Sequence, residues 1–226
     1  MKVLILGKGQ LGKEIKSQTD WDLVCIEDQA DFDYNHIENC YKYLVNYDVI
    51  VNCVAHTDTY SKQKEPHWTV NYYAVSRLTD WCRENNKKLV HISTDFVYAN
   101  SSSIASEESL PVHDKNWYSY TKLLADGYIE LKGENYLLIR TSFKPKPFPY
   151  DEAYTDILTC ADYIDNIAAF IIQLINEERI GIYNVGTEPK TIYTLAKQTK
   201  PDVKKGLSKE WMPKDLRMNC DKFKNR

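Results

Sequence analysis

A tyrosine and a lysine spaced four residues apart are the side chains of this sequence best suited to acid–base chemistry. Tyr118 and Lys122 fall in a stretch with helical periodicity, where residues four apart share one face. A phenol has a pKa of about 10, but a cation about 4 Å away stabilises the phenolate by about 4 kcal/mol at an effective dielectric constant of about 20. That energy corresponds to a pKa lowered by up to about three. We therefore expect Lys122 to lower the pKa of Tyr118 so that the phenol exchanges a proton near neutral pH.

The spacing alone does not identify a site, because the sequence contains four Tyr-x-x-x-Lys matches. Context favours Tyr118, since Ser93-Thr94-Asp95 stands at the end of the preceding buried strand. The Thr94 hydroxyl would bind the same substrate oxygen as the phenol. The other three matches are interpreted as solvated pairs: Tyr60/Lys64, Tyr128/Lys132 and Tyr193/Lys197.

A glycine-rich turn near the start of the chain predicts a dinucleotide site. The segment Gly7-Lys8-Gly9-Gln10-Leu11-Gly12 follows the first apolar run and opens the first helical pattern. Glycines there allow a tight turn and bring the amino end of a helix close to a pyrophosphate. Gly7, Gly9, Gln10, Leu11 and Gly12 are therefore predicted to bind the cofactor.

Two acidic residues at the end of the second apolar run bear on which cofactor binds. Glu27 and Asp28 lie 20 and 21 residues after Gly7, as expected of a group that binds adenosine ribose hydroxyls. No Arg or Lys between Lys16 and Lys42 is present to neutralise a 2′-phosphate. The sequence thus predicts NAD(H) as the preferred cofactor and leaves NADP(H) open. Small residues after the third apolar run, Cys53, Val54 and Ala55, would border the same cofactor.

The elements that position these residues follow from apolar patterning. Apolar runs buried on both faces alternate with helical patterns, which predicts an α/β fold with a doubly wound parallel sheet of Rossmann type. Strands are predicted over residues 3–6, 23–26, 49–53, 89–92, 136–139 and 182–185, and helices over 11–17, 37–45, 68–82, 118–131, 163–175 and 192–197. The three prolines of residues 144–149 interrupt this alternation. They divide a dinucleotide-binding body, residues 1–143, from a small substrate-binding lobe, residues 144–226.

Bulk properties exclude several classes of protein. A net charge of −3 gives no reason to expect a nucleic acid or an anionic membrane as a partner, and the chain has no apolar run of membrane-spanning length. The six cysteines are scattered without metal or redox spacing, and His56 and His91 lack partners at metal-ligand spacing. We expect buried thiols, structural histidines, no metal and a cytoplasmic location.

Several segments in order resemble the extended short-chain dehydrogenase/reductases. They are Gly7 to Gly12, Val51-Asn52, Ser93 to Tyr98, Asn116 to Lys122 and Arg140-Thr141-Ser142. The branch that the chain resembles most is that of the dTDP-4-dehydrorhamnose reductases. The chain departs from the branch in a shorter glycine turn, in Tyr60 and Gln63 at positions usually acidic, and in a shortened second half.

The resemblance implies a function and a set of site residues. Thr94, Tyr118 and Lys122 would be the catalytic trio, with Lys122 also binding nicotinamide ribose, and Asp95 and Phe96 would join Thr94 at the substrate. The implied reaction is NAD(P)H-dependent reduction of the C4 ketone of a nucleotide-linked 4-keto-6-deoxyhexose, in deoxysugar and surface-glycan synthesis. Phe96 stands where the related dehydratases have a glutamate, which argues against dehydration.

Some alternatives stay open at this point. A nucleotide-sugar 4-epimerase would use the same trio with tightly held NAD. A regulatory subunit, similar to the β-subunit of methionine adenosyltransferase, would bind a partner without catalysis. In the basic C-terminal tail, Arg217 is the residue predicted to meet the substrate's phosphates. The oligomeric state is not fixed by the sequence, and a homodimer is compatible with it.

Overall fold

The computed structural model of the protein describes residues 1–25, 33–112 and 115–224. The strands of these residues are β1 (Val3–Leu6), β2 (Asp22–Val24), β3 (Val49–Asn52), β4 (Lys88–Thr94), β5 (Tyr136–Thr141), β6 (Phe143–Lys144), β7 (Glu152–Tyr154), β8 (Leu158–Thr159), β9 (Asp162–Tyr163), β10 (Gly181–Val185), β11 (Lys190–Thr191), β12 (Lys204–Gly206) and β13 (Asp215–Leu216). The helices are α1 (Gln10–Ser17), α2 (Tyr41–Leu44), α3 (Lys64–Pro66), α4 (Ala74–Glu84), α5 (Trp117–Lys132), α6 (Ile164–Asn176), α7 (Ile192–Ala196) and α8 (Asp221–Lys224).

The main sheet is parallel and has the order β10-β5-β4-β3-β1-β2. The chain leaves β1 toward β2 on one side and returns to β3 on the other side of β1. In open α/β sheets, ligands bind at the carboxyl ends of the strands, where the direction of winding reverses. The predicted Rossmann-type sheet is confirmed, and its reversal lies between β1 and β3.

Alternate residues of the buried strands face two helical layers, as the pleat of a strand requires. Ile5 and Val51 pack with α1 and α6 on one face, while Leu4 and Ile50 pack with α4 and α5 on the other. Burial on both faces explains why the strands appear in the sequence as continuous apolar runs rather than alternating ones.

A smaller apolar cluster forms the lobe beside the sheet. It is built from short paired strands, β11-β8-β13 and β12-β7, with α7 packed among them. The structure differs here from the predicted division at residue 143. Strand β10 is the edge strand of the main sheet and α6 packs in the core of the body, so both elements after the prolines belong to the body.

Two predicted helices take another form. Residues 37–45 begin as a 3₁₀ segment, Tyr34–Cys40, broken by the non-helical backbone of His36 and followed by the single turn of α2. Residues 68–82 open with a π-helical turn, His67–Tyr73, before α4. There the Asn71 side chain exchanges two hydrogen bonds with the main chain of His56, which ties the wider turn to the loop after β3. Apolar periodicity cannot signal either departure, because the buried face is preserved.

None of the described helices has the length and apolar character needed to cross a membrane. Five of the cysteines are buried, as predicted, and Cys53 is half-buried.

Candidate active site

Thr94 and Tyr118 are brought together by the end of β4 and the start of α5. The Thr94 hydroxyl accepts a hydrogen bond from the Phe96 amide at 3.2 Å, which caps the short helical turn that follows β4. The Asn116 side chain caps α5 by accepting from the Ser119 amide at 2.7 Å, and the Ser119 hydroxyl donates to the Phe96 carbonyl at 3.0 Å. These bonds fix the first turn of α5 against the turn that follows β4. They thereby place Tyr118, which lies in the first turn of α5, close to Thr94 at the end of β4.

The Tyr118 phenol is more weakly acidic than an ordinary tyrosine. Burial of the hydroxyl raises its pKa to about 12, and the hydrogen bond with Thr94 offsets only part of this effect. The negative charges of Asp95 and Asp126 raise the pKa further. The expectation that Lys122 lowers the pKa of Tyr118 is therefore wrong for this structure.

The physical reason lies in the direction of the Lys122 side chain. Its Nζ atom lies 2.7 Å from the Ile92 carbonyl and 2.9 Å from Nε2 of His91, both on β4. A shared helix face brings two residues near each other, but it does not decide which neighbour a long flexible side chain will reach. Burial lowers the pKa of Lys122 itself to about 8, although Asp126 and Cys53 oppose this shift.

Asp95 belongs to a buried polar cluster that was not predicted from the sequence. Its carboxylate accepts from the Thr94 hydroxyl at 3.3 Å and from the Thr159 hydroxyl at 3.4 Å. Burial raises the pKa of Asp95 to about 6, while nearby Lys144 lowers it. Burial also lowers the pKa of Lys144, which Asp95 opposes. In the sequence Lys144 is only part of the proline-rich interruption, and no local motif marks it, since its partner Asp95 lies 49 residues earlier in the turn after β4.

The glycine turn has the shape its sequence predicts. Gly7 has a φ of +96°, and a side chain there would lie 2.8 Å from the Val54 side chain. A side chain on Gly12 would lie 2.0 Å from the Gly7 carbonyl, so this glycine allows α1 to pack against the turn. Gly9 has open space around it, with no protein atom within 4 Å of an added Cβ.

A cleft of about 430 Å³ lies over this turn at the reversal of the sheet. Its lining includes Gly7, Lys8, Gly9, Cys53, Val54, Ala55 and His56. Gln10 is exposed at the start of α1, whereas the Leu11 side chain is buried in the core and leaves only its main chain near the turn. Glu27 and Asp28 lie outside the described residues. Of the predicted cofactor residues, Gly7, Gly9, Cys53, Val54 and Ala55 thus line one cleft.

A second cavity, of about 410 Å³, lies between the body and the lobe. The body lines it with Tyr60, Phe96 and Lys144, and the lobe contributes mainly aromatic and aliphatic side chains: Phe148, Tyr150, Tyr154, Ile157, Ile192, Met212 and Leu216. Arg217 follows the last of these in sequence, but its guanidinium is held by Asp215 at 2.6 and 2.9 Å. The predicted substrate residues Thr94, Asp95 and Phe96 therefore gather beside this cavity, and Arg217 is engaged elsewhere.

The Tyr118 ring contacts a side chain near each of the two cavities. Its centroid is 6.0 Å from that of Phe96, which lines the cavity at the lobe. On the other side it is 6.4 Å from that of His67, which in turn contacts His56 of the glycine-turn cleft at 4.5 Å. The phenol thus lies near both cavities, although it is not among the residues that line either one.

Comparison with known proteins gives relatives of one kind. A dTDP-4-dehydrorhamnose reductase of Salmonella typhimurium is 31% identical over 98 residues, covering 42% of this chain and 33% of that protein. A second, from Escherichia coli, is 25% identical over 157 residues, covering 63% of this chain and 51% of that protein. The chain thus spans about a third to a half of the length of these curated relatives.

Solved structures resemble the chain over its whole length. A dTDP-4-dehydrorhamnose reductase from Bacillus anthracis in complex with NADP has a TM-score of 0.85 at 20% identity, covering 100% of this chain and 93% of that one. A hypothetical dTDP-4-dehydrorhamnose reductase from Sulfolobus tokodaii has a TM-score of 0.83 at 22% identity, with coverage of 100% and 94%. The Bordetella bronchiseptica enzyme WbmH, in complex with NAD+, has a TM-score of 0.78 at 13% identity, with coverage of 98% and 90%. At these identities the likeness shows the fold.

The family itself is defined by sequence. Residues 1–144, which include the glycine turn, Thr94, Tyr118 and Lys122, match the family described as RmlD substrate binding domain. The match extends over more than half of the chain and ends at the proline-rich segment. The chain belongs to the RmlD substrate binding domain family.

Proposed function

We propose that this protein catalyses the NAD(P)H-dependent reduction of the C4 ketone of a nucleotide-linked 4-keto-6-deoxyhexose, a step of deoxysugar and surface-glycan synthesis. The observation that carries the proposal is the position of the Tyr118 phenol, close to Thr94 and in ring contact with Phe96 of the cavity at the lobe and with His67 beside the glycine-turn cleft. The named activity of the curated relatives supports the same reaction.

The glycine-turn cleft fits a nicotinamide dinucleotide. The open space over Gly9 leaves room for a pyrophosphate at the amino end of α1, and Cys53, Val54 and Ala55 border the same cleft. When bound, such a cofactor supplies the hydride for carbonyl reduction. We propose Glu27 and Asp28 as the ribose ligands, with NAD(H) preferred and NADP(H) accepted.

The protonated state of the phenol suits reduction. A reductase needs a proton donor at the carbonyl oxygen, whereas an epimerase must first remove a proton from a hydroxyl. Because its pKa is raised to about 12, Tyr118 carries its proton at neutral pH. The Thr94 hydroxyl would donate a second hydrogen bond to the same oxygen in place of its bond to Asp95, and would thereby orient the carbonyl.

The cavity at the lobe is the proposed place for the sugar and its nucleotide. Its aromatic and aliphatic lining suits the faces of a deoxysugar and a base. Arg217 is proposed as a ligand of the phosphates, which requires it to exchange the Asp215 carboxylate for a phosphate. Lys144 is a second cation for that role, since it lines the cavity directly.

The test is a reductase assay with purified protein. NADH or NADPH is mixed with a panel of nucleotide-linked 4-keto-6-deoxysugars, and the loss of reduced-nicotinamide absorbance is followed. We expect turnover with at least one substrate, a larger catalytic efficiency with NADH, and loss of turnover in Tyr118→Phe. NAD that copurifies with the protein and catalyses epimerisation would instead support an epimerase. Cofactor binding without turnover of any substrate would support a regulatory subunit.

A further inference from the structure

Three buried side chains form a line beneath the candidate active site. Nδ2 of Asn52 lies 3.0 Å from Nδ1 of His91, and Nε2 of the same ring lies 2.9 Å from Nζ of Lys122. Asn52 and His91 are 0% exposed and Lys122 is 1% exposed. Buried polar atoms pair donor with acceptor, so the positions of the hydrogens follow from the chemistry of the partners.

The orientation of the Asn52 amide is set by the main-chain N–H of Val54, which can only donate a hydrogen bond. Its Oδ1 accepts from the main-chain N–H of Val54 at 3.1 Å. Turning the amide around would place its NH₂ against that N–H, two donors facing each other. Nδ2 therefore points the other way and donates to the Tyr34 hydroxyl at 2.6 Å and to Nδ1 of His91.

This orientation decides which nitrogen of His91 carries the proton. Nδ1 accepts from Asn52, so the single hydrogen of the neutral ring is on Nε2. The charged imidazolium does not fit, because its Nδ1–H would meet the amide NH₂. Burial and the neighbouring Lys122 also keep the pKa of His91 well below its usual range. The Nε2–H bond then points at Nζ of Lys122.

An ammonium group has three donors and no acceptor, whereas an amine has a lone pair. We propose that His91 stabilises Lys122 as an uncharged amine in the cofactor-free protein at mildly alkaline pH, where surface lysines are still charged, with the His91 Nε2–H donating to Nζ and Nζ donating to the Ile92 carbonyl. In this arrangement His91 is a positioning residue that acts through Lys122. The inference builds on the proposed function, in which Lys122 is a site residue, but the state of Lys122 can be measured without substrate.

The charged and titratable neighbours of Lys122 oppose this state only in part. Asp126, one turn along α5, and Cys53, after β3, both favour the ammonium. The Asp126 carboxylate, however, is bound to the Arg140 guanidinium at 3.0 Å, which compensates its charge. Tyr118, one turn earlier, keeps its proton and carries no charge at neutral pH. Burial is the largest influence, and it favours the uncharged form.

An uncharged lysine changes the role of the residue in the site. In its uncharged form it gives no positive charge to Tyr118. Above about pH 8 it can take up a proton when an anionic ligand or a developing phenolate arrives nearby, so its charge there would depend on the state of the site. The acidity of Tyr118 would then depend on the occupancy of the site.

The direct test reads the two protonation states by NMR. In protein with ¹⁵N-labelled histidine, we expect His91 to show a proton on Nε2 and an unprotonated Nδ1. In protein with lysine labelled at the ε-carbon, we expect the Lys122 signal to titrate with a midpoint of about 8 or lower. Surface lysines titrate above about 10. The opposite His91 tautomer, or a Lys122 signal that titrates with the surface lysines, would overturn the proposal.

Variants assign the Lys122 signal and test whether His91 causes its low midpoint. Lys122→Met identifies the lysine signal by its loss. His91→Gln replaces the N–H donor by an amide that can turn its oxygen toward an ammonium, and should raise the Lys122 midpoint by about one pH unit or more. His36→Gln, which changes an exposed imidazole bound to Asp33, should leave the midpoint unchanged.

An unchanged midpoint in His91→Gln would also overturn the proposal. The wild-type readings can be assigned through main-chain correlations, so the test does not depend on either variant folding. Reductase activity tests a separate claim: if no sugar is reduced while His91 and Lys122 behave as expected, the proposed function alone is wrong.

Discussion

At the scale of single residues, the Tyr118 hydroxyl is the group with the strongest claim to chemistry. Burial raises its pKa and outweighs the opposing effect of Thr94, so the phenol is protonated at neutral pH and ready to donate to a carbonyl oxygen that gains negative charge. Asp95 accepts from the same threonine, and this bond restricts the Thr94 hydroxyl to one direction. The site is therefore arranged around one proton donor and one oriented hydroxyl.

Removing that proton donor should abolish most of the activity. Tyr118→Phe keeps the ring contacts with Phe96 and His67 and loses one hydroxyl. We expect turnover of a verified substrate to fall about a hundredfold or more, while cofactor affinity stays close to wild type. Steady-state kinetics and a cofactor titration measure the two quantities. Near-normal reduction by Tyr118→Phe would remove Tyr118 from the mechanism.

Lys122 should make stability depend on pH in a known direction. Its pKa is lowered from 10.5 to about 8 in the folded protein, so between these values the unfolded chain holds a proton that the folded protein has released. Stability then rises with pH across this window, and the cost of burying the charge is fully present below about pH 8. A pKa difference of this size corresponds to about 3 kcal/mol.

The comparison of wild type with Lys122→Met isolates this contribution. We expect the free energy of unfolding of the variant, minus that of wild type, to be larger at pH 7 than at pH 10 by about 2 to 3 kcal/mol. Other titrating groups cancel in the difference, and denaturant unfolding at each pH measures it. A difference that is the same at both pH values would mean that Lys122 has an ordinary pKa in the folded protein.

At the scale of elements, the turn between β1 and α1 contains two glycines that are required for different reasons, one for the packing of the protein and one for a ligand. Gly12 has no room for a side chain because the Gly7 carbonyl would lie 2.0 Å from its Cβ, whereas Gly9 has no atom within 4 Å. The φ of Gly9 is −69°, which any residue adopts. The protein itself therefore requires Gly12, and only a ligand would require Gly9.

Alanine at each position should show this separation. Gly12→Ala should lower stability by about 1 to 3 kcal/mol or more, since the helix must move away from the turn. Gly9→Ala should leave the melting temperature close to wild type but weaken NADH binding about tenfold or more, because the methyl group occupies the space proposed for the pyrophosphate. Thermal unfolding and a cofactor titration test both. Unchanged NADH affinity in Gly9→Ala would place the cofactor elsewhere.

The sequence predicts elements well where a local pattern causes them. The run Val3–Leu6 is a strand and Gln10–Ser17 a helix, because apolar burial and glycine chemistry act within a few residues. The sequence predicts local structure less well where a residue distant in the chain determines the conformation. The π-helical turn depends on Asn71 reaching His56, and the direction of Lys122 depends on His91, which lies 31 residues earlier on a neighbouring strand.

The same limit applies to the candidate site. Thr94 and Tyr118 can be predicted together because each stands in a motif, whereas Lys144 stands in none and becomes visible only when the fold sets it near Asp95. The membership of β10 in the main sheet was missed for a related reason: the three prolines suggest a boundary, but the chain crosses back to the body after them.

At the scale of the whole molecule, the body and the lobe share the cavity proposed for the nucleotide sugar. Lys144 lies in β6, just before the prolines, and lines this cavity, while Arg217 is held by Asp215 in the lobe. A contact between Tyr60 and Trp211, with ring centroids 4.5 Å apart, joins the two parts at the edge of the cavity. Substrate affinity should therefore depend on a cation of the body as well as on the lobe.

Paired variants of the two cations decide which one meets the substrate's phosphates. A charge-assisted bond to a phosphate contributes about 1.5 to 3 kcal/mol, so Lys144→Met should raise the KM for the nucleotide sugar about tenfold or more and leave NADH affinity unchanged. Arg217→Ala removes the other cation, and as long as Asp215 holds it, we expect a smaller rise in the same KM. Steady-state kinetics with each ligand varied in turn measure both. A larger effect of Arg217→Ala would show that the arginine leaves Asp215 for the phosphates, and would leave Lys144 as the partner that keeps Asp95 in place beside Thr94.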